Sequence, residues 1–112
     1  MSKRVPSLGQ PPLTAAVFHI LLALADGPLH GYAIMQAVEA SADVRMGPGT
    51  IYGSLERMED AGLVRELTTL ADDRRRVFGL QPAGRRALEA EAHRLTRLAA
   101  LVRAKRLITG ER

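Results

Sequence analysis

The chain has 112 residues, 46% of them hydrophobic but only 4% aromatic, which indicates one small folded domain with a core of aliphatic side chains. A core of that kind buries little area by itself and favours oligomerisation. The net charge is +4 with 14 arginines, a bias suited to phosphate and carboxylate recognition, and the absence of cysteine excludes disulfides, thiolate metal sites and thiol nucleophiles.

The first twelve residues contain three prolines and predict a flexible N-terminal arm over residues 1–12. Thr14 is a plausible N-cap for an almost wholly apolar helix to about Ala25, which Gly27 and Pro28 end. The basic start and the apolar run also resemble a secretory signal. However, prolines interrupt the approach and His19 lies within the run, so we expect a cytoplasmic protein. The run is too short to span a bilayer, and no membrane partner is expected.

Two further helices follow, joined by a short polar turn. Residues 30–40 carry apolar side chains at helical spacing. Pro48 opens a helix that continues through Asp60 and ends at Gly62. Ile51, Leu55 and Met58 form its apolar stripe, at intervals of four and three residues.

The hydrophobic period then changes from that of a helix to that of strands. Residues 63–69 and 75–80 are two short extended runs around the charged turn 71–74, and they predict a β-hairpin. Pro82 begins a last helix that is predicted to continue to about Thr109. Along this helix Leu88, Leu95, Leu98 and Val102 follow a seven-residue repeat, with Leu101 beside them, and together they predict a dimerisation surface.

Helix, turn, helix and hairpin in this order predict a mainly α fold with a small β-hairpin, a winged helix-turn-helix. The domain would span residues 13–81, followed by a C-terminal dimerisation helix over 82–112. The helix from Pro48 would present its polar face to base edges and its first amides to a phosphate, and the basic hairpin tip would follow the DNA backbone. The expected DNA-binding residues are Tyr32, Pro48, Gly49, Thr50, Tyr52, Ser54, Arg57, Arg74, Arg75 and Arg76.

Simpler interpretations of these residues stay open. An exposed Thr, Ser or Arg on a helix is usually only solvated. Tyr52 can equally pack against the hairpin as part of the core, and three arginines in a row are often a soluble turn. The position of the polar face and of the basic turn, where a winged helix-turn-helix needs them, favours DNA binding.

Four segments together resemble one family of bacterial regulators. They are residues 22–32 (LALADGPLHGY), 48–52 (PGTIY), 55–64 (LERMEDAGLV) and 74–80 (RRRVFGL). In order and spacing, from about residue 14 to 88, they resemble the PadR family of transcriptional regulators. The chain differs from many members in having Gly53 for Pro, Phe78 for Tyr and Gln81 for Thr, and it lacks the tryptophans that hold planar drugs in some members.

The resemblance implies a winged helix-turn-helix domain with a single C-terminal dimerisation helix, as in the short subfamily. It implies a repressor whose DNA affinity a small-molecule effector lowers. Tyr32, Thr50 and Tyr52 fall where the family contacts DNA, and residues 74–76 fall in its wing. Two-fold symmetry would place two recognition helices about 34 Å apart on an inverted-repeat operator.

Two other classes of function are compatible with a chain of this kind to a lesser degree. A winged-helix protein-interaction module that does not bind DNA is the alternative, although an apolar wing would suit that role better than an arginine-rich one. An enzyme is disfavoured because no catalytic residues stand out: the chain has no glycine-rich phosphate loop, paired-carboxylate pocket or histidine cluster. The histidines lack metal-ligand spacing, so no metal and no cofactor are expected.

Overall fold

A computed structural model describes residues 7–42, 45–67 and 76–108. Within these residues the chain forms four helices and three short strands. They are α1 (Ala15–Ala23), β1 (Leu29–His30), α2 (Gly31–Ser41), α3 (Pro48–Asp60), β2 (Val64–Glu66), β3 (Val77–Leu80) and α4 (Pro82–Ala104). The mainly α prediction with a small β-hairpin is confirmed.

Side-chain caps fix where the first two helices begin. The Thr14 hydroxyl accepts a hydrogen bond from the Val17 amide at 3.3 Å, as expected for the N-cap of α1. His30 caps α2 in the same way, because its Nδ1 accepts from the Ala33 amide at 3.3 Å. His30 therefore has a local role at the start of α2.

The three strands form one antiparallel sheet in the order β1-β3-β2. Val64 lies opposite Leu80, and Glu66 lies opposite Phe78, so β2 and β3 are the predicted hairpin, here called the wing. Its turn at residues 71–74 lies outside the described residues. Strand β1 was not predicted, because two residues carry no periodic signal and the strand exists only through its pairing with β3.

One hydrophobic core joins the helices to the sheet. The largest fully buried side chain belongs to Phe78 on β3, which packs among aliphatic residues of the helices. The core members are Leu13, Val17, Ile20, Leu21, Leu24, Ile34, Val38, Ile51, Leu55, Met58, Leu63, Val64, Phe78, Ala87 and Leu88. Leu8, in the predicted arm, packs against this core.

The first half of α4 packs on the winged domain, and its buried residues are Gly84, Ala87, Leu88 and Glu91. Gly84 permits the close approach, because a Cβ there would collide with the Leu63 carbonyl oxygen. Leu88 is predicted as a dimerisation residue, but it is only 7% exposed. Its own domain already covers the side chain, which leaves little surface for a second copy.

The Glu91 side chain is a buried carboxylate, 3% exposed, on the same face of α4. It accepts two hydrogen bonds from the Arg94 guanidinium, at 2.7 and 2.8 Å, and one from the Leu13 amide at 3.2 Å. The Arg94 bonds are the main reason that the pKa of Glu91 lies below its usual value. The carboxylate therefore fastens the start of α1 to α4.

Helix α4 ends at Ala104 and not near Thr109 as predicted. Arg106 adopts the left-handed conformation with φ 57°, and the Leu107 amide donates to the Val102 carbonyl at 3.4 Å. This is the Schellman arrangement that commonly ends helices at glycine. Because an arginine occupies the left-handed position, the sequence carried no stop signal. None of the helices in the described part of the chain has the length and apolar character to cross a membrane.

Candidate nucleic-acid interface

Helix α3, the candidate recognition helix, has one buried and one exposed side. Ile51, Leu55 and Met58 are fully buried, as their spacing predicted. Pro48, Gly49 and Thr50 are exposed in the first turn, and Arg57 is exposed two turns later. The N-cap residue before α3 is Gly47, which has no side chain to accept a hydrogen bond from the first amides. The first turn is therefore open to a phosphate or a base edge.

Ser54 is not on the exposed side, and the structure contradicts its expected place there. It is 2% exposed, and its hydroxyl accepts a hydrogen bond from Arg57 at 3.3 Å. Residue 54 follows Ile51 by three positions and precedes Met58 by four, so it lies within the buried stripe. The burial removes Ser54 from contact with DNA in this conformation.

Tyr52 lies partly buried between α3 and the sheet. Its ring meets Phe78 edge to face, with 6.5 Å between the centroids. Its hydroxyl end lies against the backbone of Gly31, where a Cβ would collide with it. The interpretation of Tyr52 as a residue that packs against the hairpin therefore describes its place best.

Tyr32 is 62% exposed at the start of α2. It directly follows Gly31, whose backbone contacts the Tyr52 side chain of α3. A phenol hydroxyl at this place has the reach and the chemistry to donate to a phosphate. Tyr32 as a DNA contact stays a prediction, supported by its exposure and its place next to Gly31.

Of the three wing arginines, the described residues include only Arg76; Arg74 and Arg75 lie outside them. Arg76 donates from Nε and Nη2 to the two carboxylate oxygens of Glu66, at 3.2 and 3.0 Å. Its guanidinium also lies 5.6 Å from the centroid of Tyr52 and 5.3 Å from that of Phe78. The bonds to Glu66 are the main reason that the pKa of Arg76 is raised. Arg76 is therefore already paired within its own chain.

A second basic surface, which sequence reasoning did not single out, lies on the other side of the sheet. A groove of about 480 Å³ runs between the end of α1, the wing and the start of α4, and Arg65 and Arg85 line it. Arg85 donates to the Ala25 carbonyl at 2.7 Å. The alternation of buried Val64 with exposed Arg65 along β2 was the signal that could have located Arg65.

The described residues contain no group of three or more histidine or acidic side chains that could hold a metal ion. The candidate site consists instead of the uncapped first turn of α3, on a helix whose other side is buried, and of the exposed Tyr32 at the start of α2. Such an arrangement suits contact with the edge and backbone of a nucleic acid.

Solved structures with this fold include transcriptional regulators. A PadR family transcription regulator from Clostridium difficile R20291 matches with a TM-score of 0.72 and 20% identity, over 81% of this chain and 97% of that one. Bacillus subtilis PadR, solved in complex with operator DNA, matches with a TM-score of 0.61 and 23% identity, over 70% of this chain and 46% of that one. At sequence identities this low, the structural similarity shows only that this chain has the same fold.

Two relatives are more similar in sequence. The chain is 53% identical over 83 residues to an uncharacterized 37.1 kDa protein in transposon TN4556 of Streptomyces fradiae, which covers 74% of this chain. The match spans only 24% of that relative's length. The chain is also 38% identical over 86 residues to the transcriptional regulator Rv3488 of Mycobacterium tuberculosis (strain ATCC 25618 / H37Rv), over 76% of this chain and 79% of the relative.

The family model described as the transcriptional regulator PadR-like family matches residues 20–90. This region runs from within α1, through α2, α3 and the wing, to the part of α4 that packs on them. It covers more than half of the 112 residues. The chain therefore belongs to the PadR-like family of transcriptional regulators.

Proposed function

We propose that this chain binds double-stranded DNA with sequence specificity and represses transcription as a homodimer on an inverted-repeat operator. One observation carries the proposal: the first turn of α3, with Pro48, Gly49 and Thr50, is exposed, while the other side of the same helix is fully buried. A recognition helix needs this combination, since one face must anchor it and its N-terminal part must reach base edges. Membership of a family of transcriptional regulators agrees with the expectation that the chain is not an enzyme.

The homodimer is supported by the second half of α4. Leu95 and Leu98 continue the face that carries Leu88 and Glu91, since 3.6 residues complete a turn. Beyond Glu91, however, this face extends past its own domain, and Leu98 is 42% exposed. Leu101 is exposed and Val102 partly buried beside them. An unpartnered apolar stripe of this kind suits packing against the same stripe of a second copy.

In such a dimer the distance between two recognition helices decides which operator fits. Half-sites on one side of the duplex are about 34 Å apart. A small-molecule effector would release the repressor by favouring a dimer with another spacing, since a ligand shifts an equilibrium only through different affinities for the two states.

The direct test is fluorescence anisotropy with the DNA upstream of the protein's own gene and with random DNA of equal length, over a series of salt concentrations. Sequence-specific binding requires tighter binding to the upstream DNA, and affinity should fall steeply with salt because arginines displace condensed counterions. Replacing Arg57 by Ala on α3 should weaken binding and lower the salt slope by about one.

The matched control is Arg97→Ala, which removes one arginine from an exposed position of α4, away from the start of α3. It should leave both affinity and salt slope near those of the wild type. Equal weak binding to both DNAs would contradict sequence specificity. Absence of binding at low salt would overturn the proposal and favour a protein-interaction module instead.

A further inference from the structure

The sequence predicts Arg76 as a DNA contact, but its side chain is bound to Glu66 of the same chain. We propose that Arg76 is a positioning residue, which with Glu66 and Tyr52 holds the wing at a fixed angle to α3, and that it makes no phosphate contact of its own. This inference rests on the proposed function, because the angle matters only if α3 and the wing engage one DNA duplex.

The first support is the geometry of the Arg76–Glu66 pair. Two parallel N–H donors meet two carboxylate oxygens, the bidentate arrangement that gives arginine its strongest and most directional pairs. The side chains of Arg76 and Glu66 are 40% and 28% exposed. A phosphate would have to displace a charge-assisted pair and would meet the Glu66 carboxylate beside it.

The second support is the set of contacts that the pair makes with α3. The Arg76 guanidinium faces the ring of Tyr52, near the start of α3. At the other end of α3, Glu59 Oε2 accepts a hydrogen bond from the Glu66 amide at 3.2 Å. Both ends of the helix are thereby connected to the two paired wing strands through Arg76 and Glu66.

The third support is that the backbone of Arg76 is held as well as its side chain. Its carbonyl accepts a hydrogen bond from the Gly31 amide at 3.1 Å, and Gly31 is the residue against which the Tyr52 hydroxyl lies. The starts of α2, α3 and β3 therefore meet at one point. Because the Arg76 side chain also pairs with Glu66, we expect its replacement to alter the angle at which the wing leaves this point.

Replacing Glu66 by Gln tests the positioning role, because simple electrostatics and positioning predict opposite changes in operator affinity. Removal of a negative charge near DNA should tighten binding. If Arg76 positions the wing, E66Q should instead weaken operator binding about tenfold, by loss of a hydrogen-bonded charge. R76Q should weaken it to a similar extent, the double variant should be no weaker than either, and the salt slope should stay at the wild-type value.

Glu56→Gln is the matched control. Glu56 is exposed on α3 and close enough to Arg76 to raise the pKa of Arg76. E56Q therefore removes a neighbouring carboxylate without breaking the Arg76–Glu66 pair, and it should tighten DNA binding slightly.

R76K also distinguishes a positioning role from a phosphate contact. Lysine reaches a phosphate but lacks the planar guanidinium, so R76K should behave as R76Q does. In ¹H–¹⁵N spectra of the free protein, E66Q and R76Q should shift the Gly31 and Tyr52 amides, and E56Q should not.

Three results would overturn the role of Arg76 while leaving DNA binding in place: E66Q that binds as tightly as the wild type or tighter, R76K that binds like the wild type, or R76Q whose salt slope falls by about one. A wild-type protein that binds no DNA at low salt would remove the proposed function, and the positioning role with it. The two failures are therefore distinguishable in one experiment.

Discussion

The hydroxyl end of Tyr52 occupies the space that a side chain at Gly31 would need. The contact joins the start of α2 to α3 and sets how closely these two helices pack. Gly31 does not have positive φ, so the glycine is required here by the close approach of Tyr52 and not by its own backbone conformation.

Replacing Gly31 by Ala should therefore destabilise the fold by about 1–3 kcal/mol, the usual cost of overpacking a well-packed site. Urea unfolding measures it. In a Tyr52→Ala background the same change should cost little, because the colliding atoms are gone. Gly49→Ala is the control, since nothing lies within 4 Å of a Cβ there. Equal costs of G31A in both backgrounds would contradict the collision.

The buried Glu91 carboxylate predicts a pH-dependent contribution to stability. Glu91→Gln should lower the free energy of unfolding at neutral pH by about 1.5–3 kcal/mol, the range for hydrogen bonds to charged groups. Because the folded-state pKa is lowered, this contribution is complete above the ordinary glutamate pKa of about 4.3 and is lost as pH falls through the folded-state value.

Urea unfolding at pH 7 and at pH 3 checks the direction in which the contribution of Glu91 to stability changes with pH. The difference between wild type and E91Q should shrink at the lower pH, because below the ordinary glutamate pKa the unfolded chain takes up a proton more readily than the folded protein. Glu89→Gln, at an exposed position of the same helix, should show a small difference at both pH values. A gap between wild type and E91Q that widens in acid would be inconsistent with a lowered pKa.

Thr50 and Ser54 should respond differently to removal of their hydroxyls. Thr50→Ala should weaken operator binding about 5- to 100-fold, as expected for loss of one base contact. Ser54→Ala should change operator affinity by less than about twofold, because the side chain is buried. Anisotropy titrations with both variants measure the two affinities. A large loss of affinity in S54A at unchanged stability would show that α3 turns when DNA binds.

The exposed stripe of α4 predicts a dimer that a single charge disrupts. Leu98→Glu should raise the dimer dissociation constant about a hundredfold or more, because it places a charge in an apolar interface. Light scattering measures it. Ala100→Glu is the control, since residue 100 lies about 200° around the helix from residue 98. If L98E stays dimeric at micromolar concentration, this stripe is not the interface.

Local signals located α3 correctly, because Pro48 and Gly62 mark its two ends and the apolar stripe lies between them. They failed at the end of α4, since Arg106 adopts the left-handed conformation that a glycine would have signalled in the sequence. They also failed at β1, whose two residues become a strand only by pairing with β3.

Some features of the candidate site could likewise be predicted from local signals, and others could not. Exposure of Tyr32 and of the first turn of α3 could be read from periodicity. The burial of Ser54 could have been read from its place between Ile51 and Met58. The pairing of Arg76 with Glu66 could not, because the two residues lie ten positions apart and meet only when the wing strands pair.

The sequence by itself determined the order of the elements, the winged fold and the family, because these depend on hydrophobic period, caps and breakers that act over a few residues. Only the tertiary structure decided which apolar and charged side chains are already paired within the chain. Leu88 is covered by its own domain, and Arg76 is held by Glu66. A pattern along one helix or strand cannot distinguish an internal partner from an external one, since either partner would stabilise the same periodic surface.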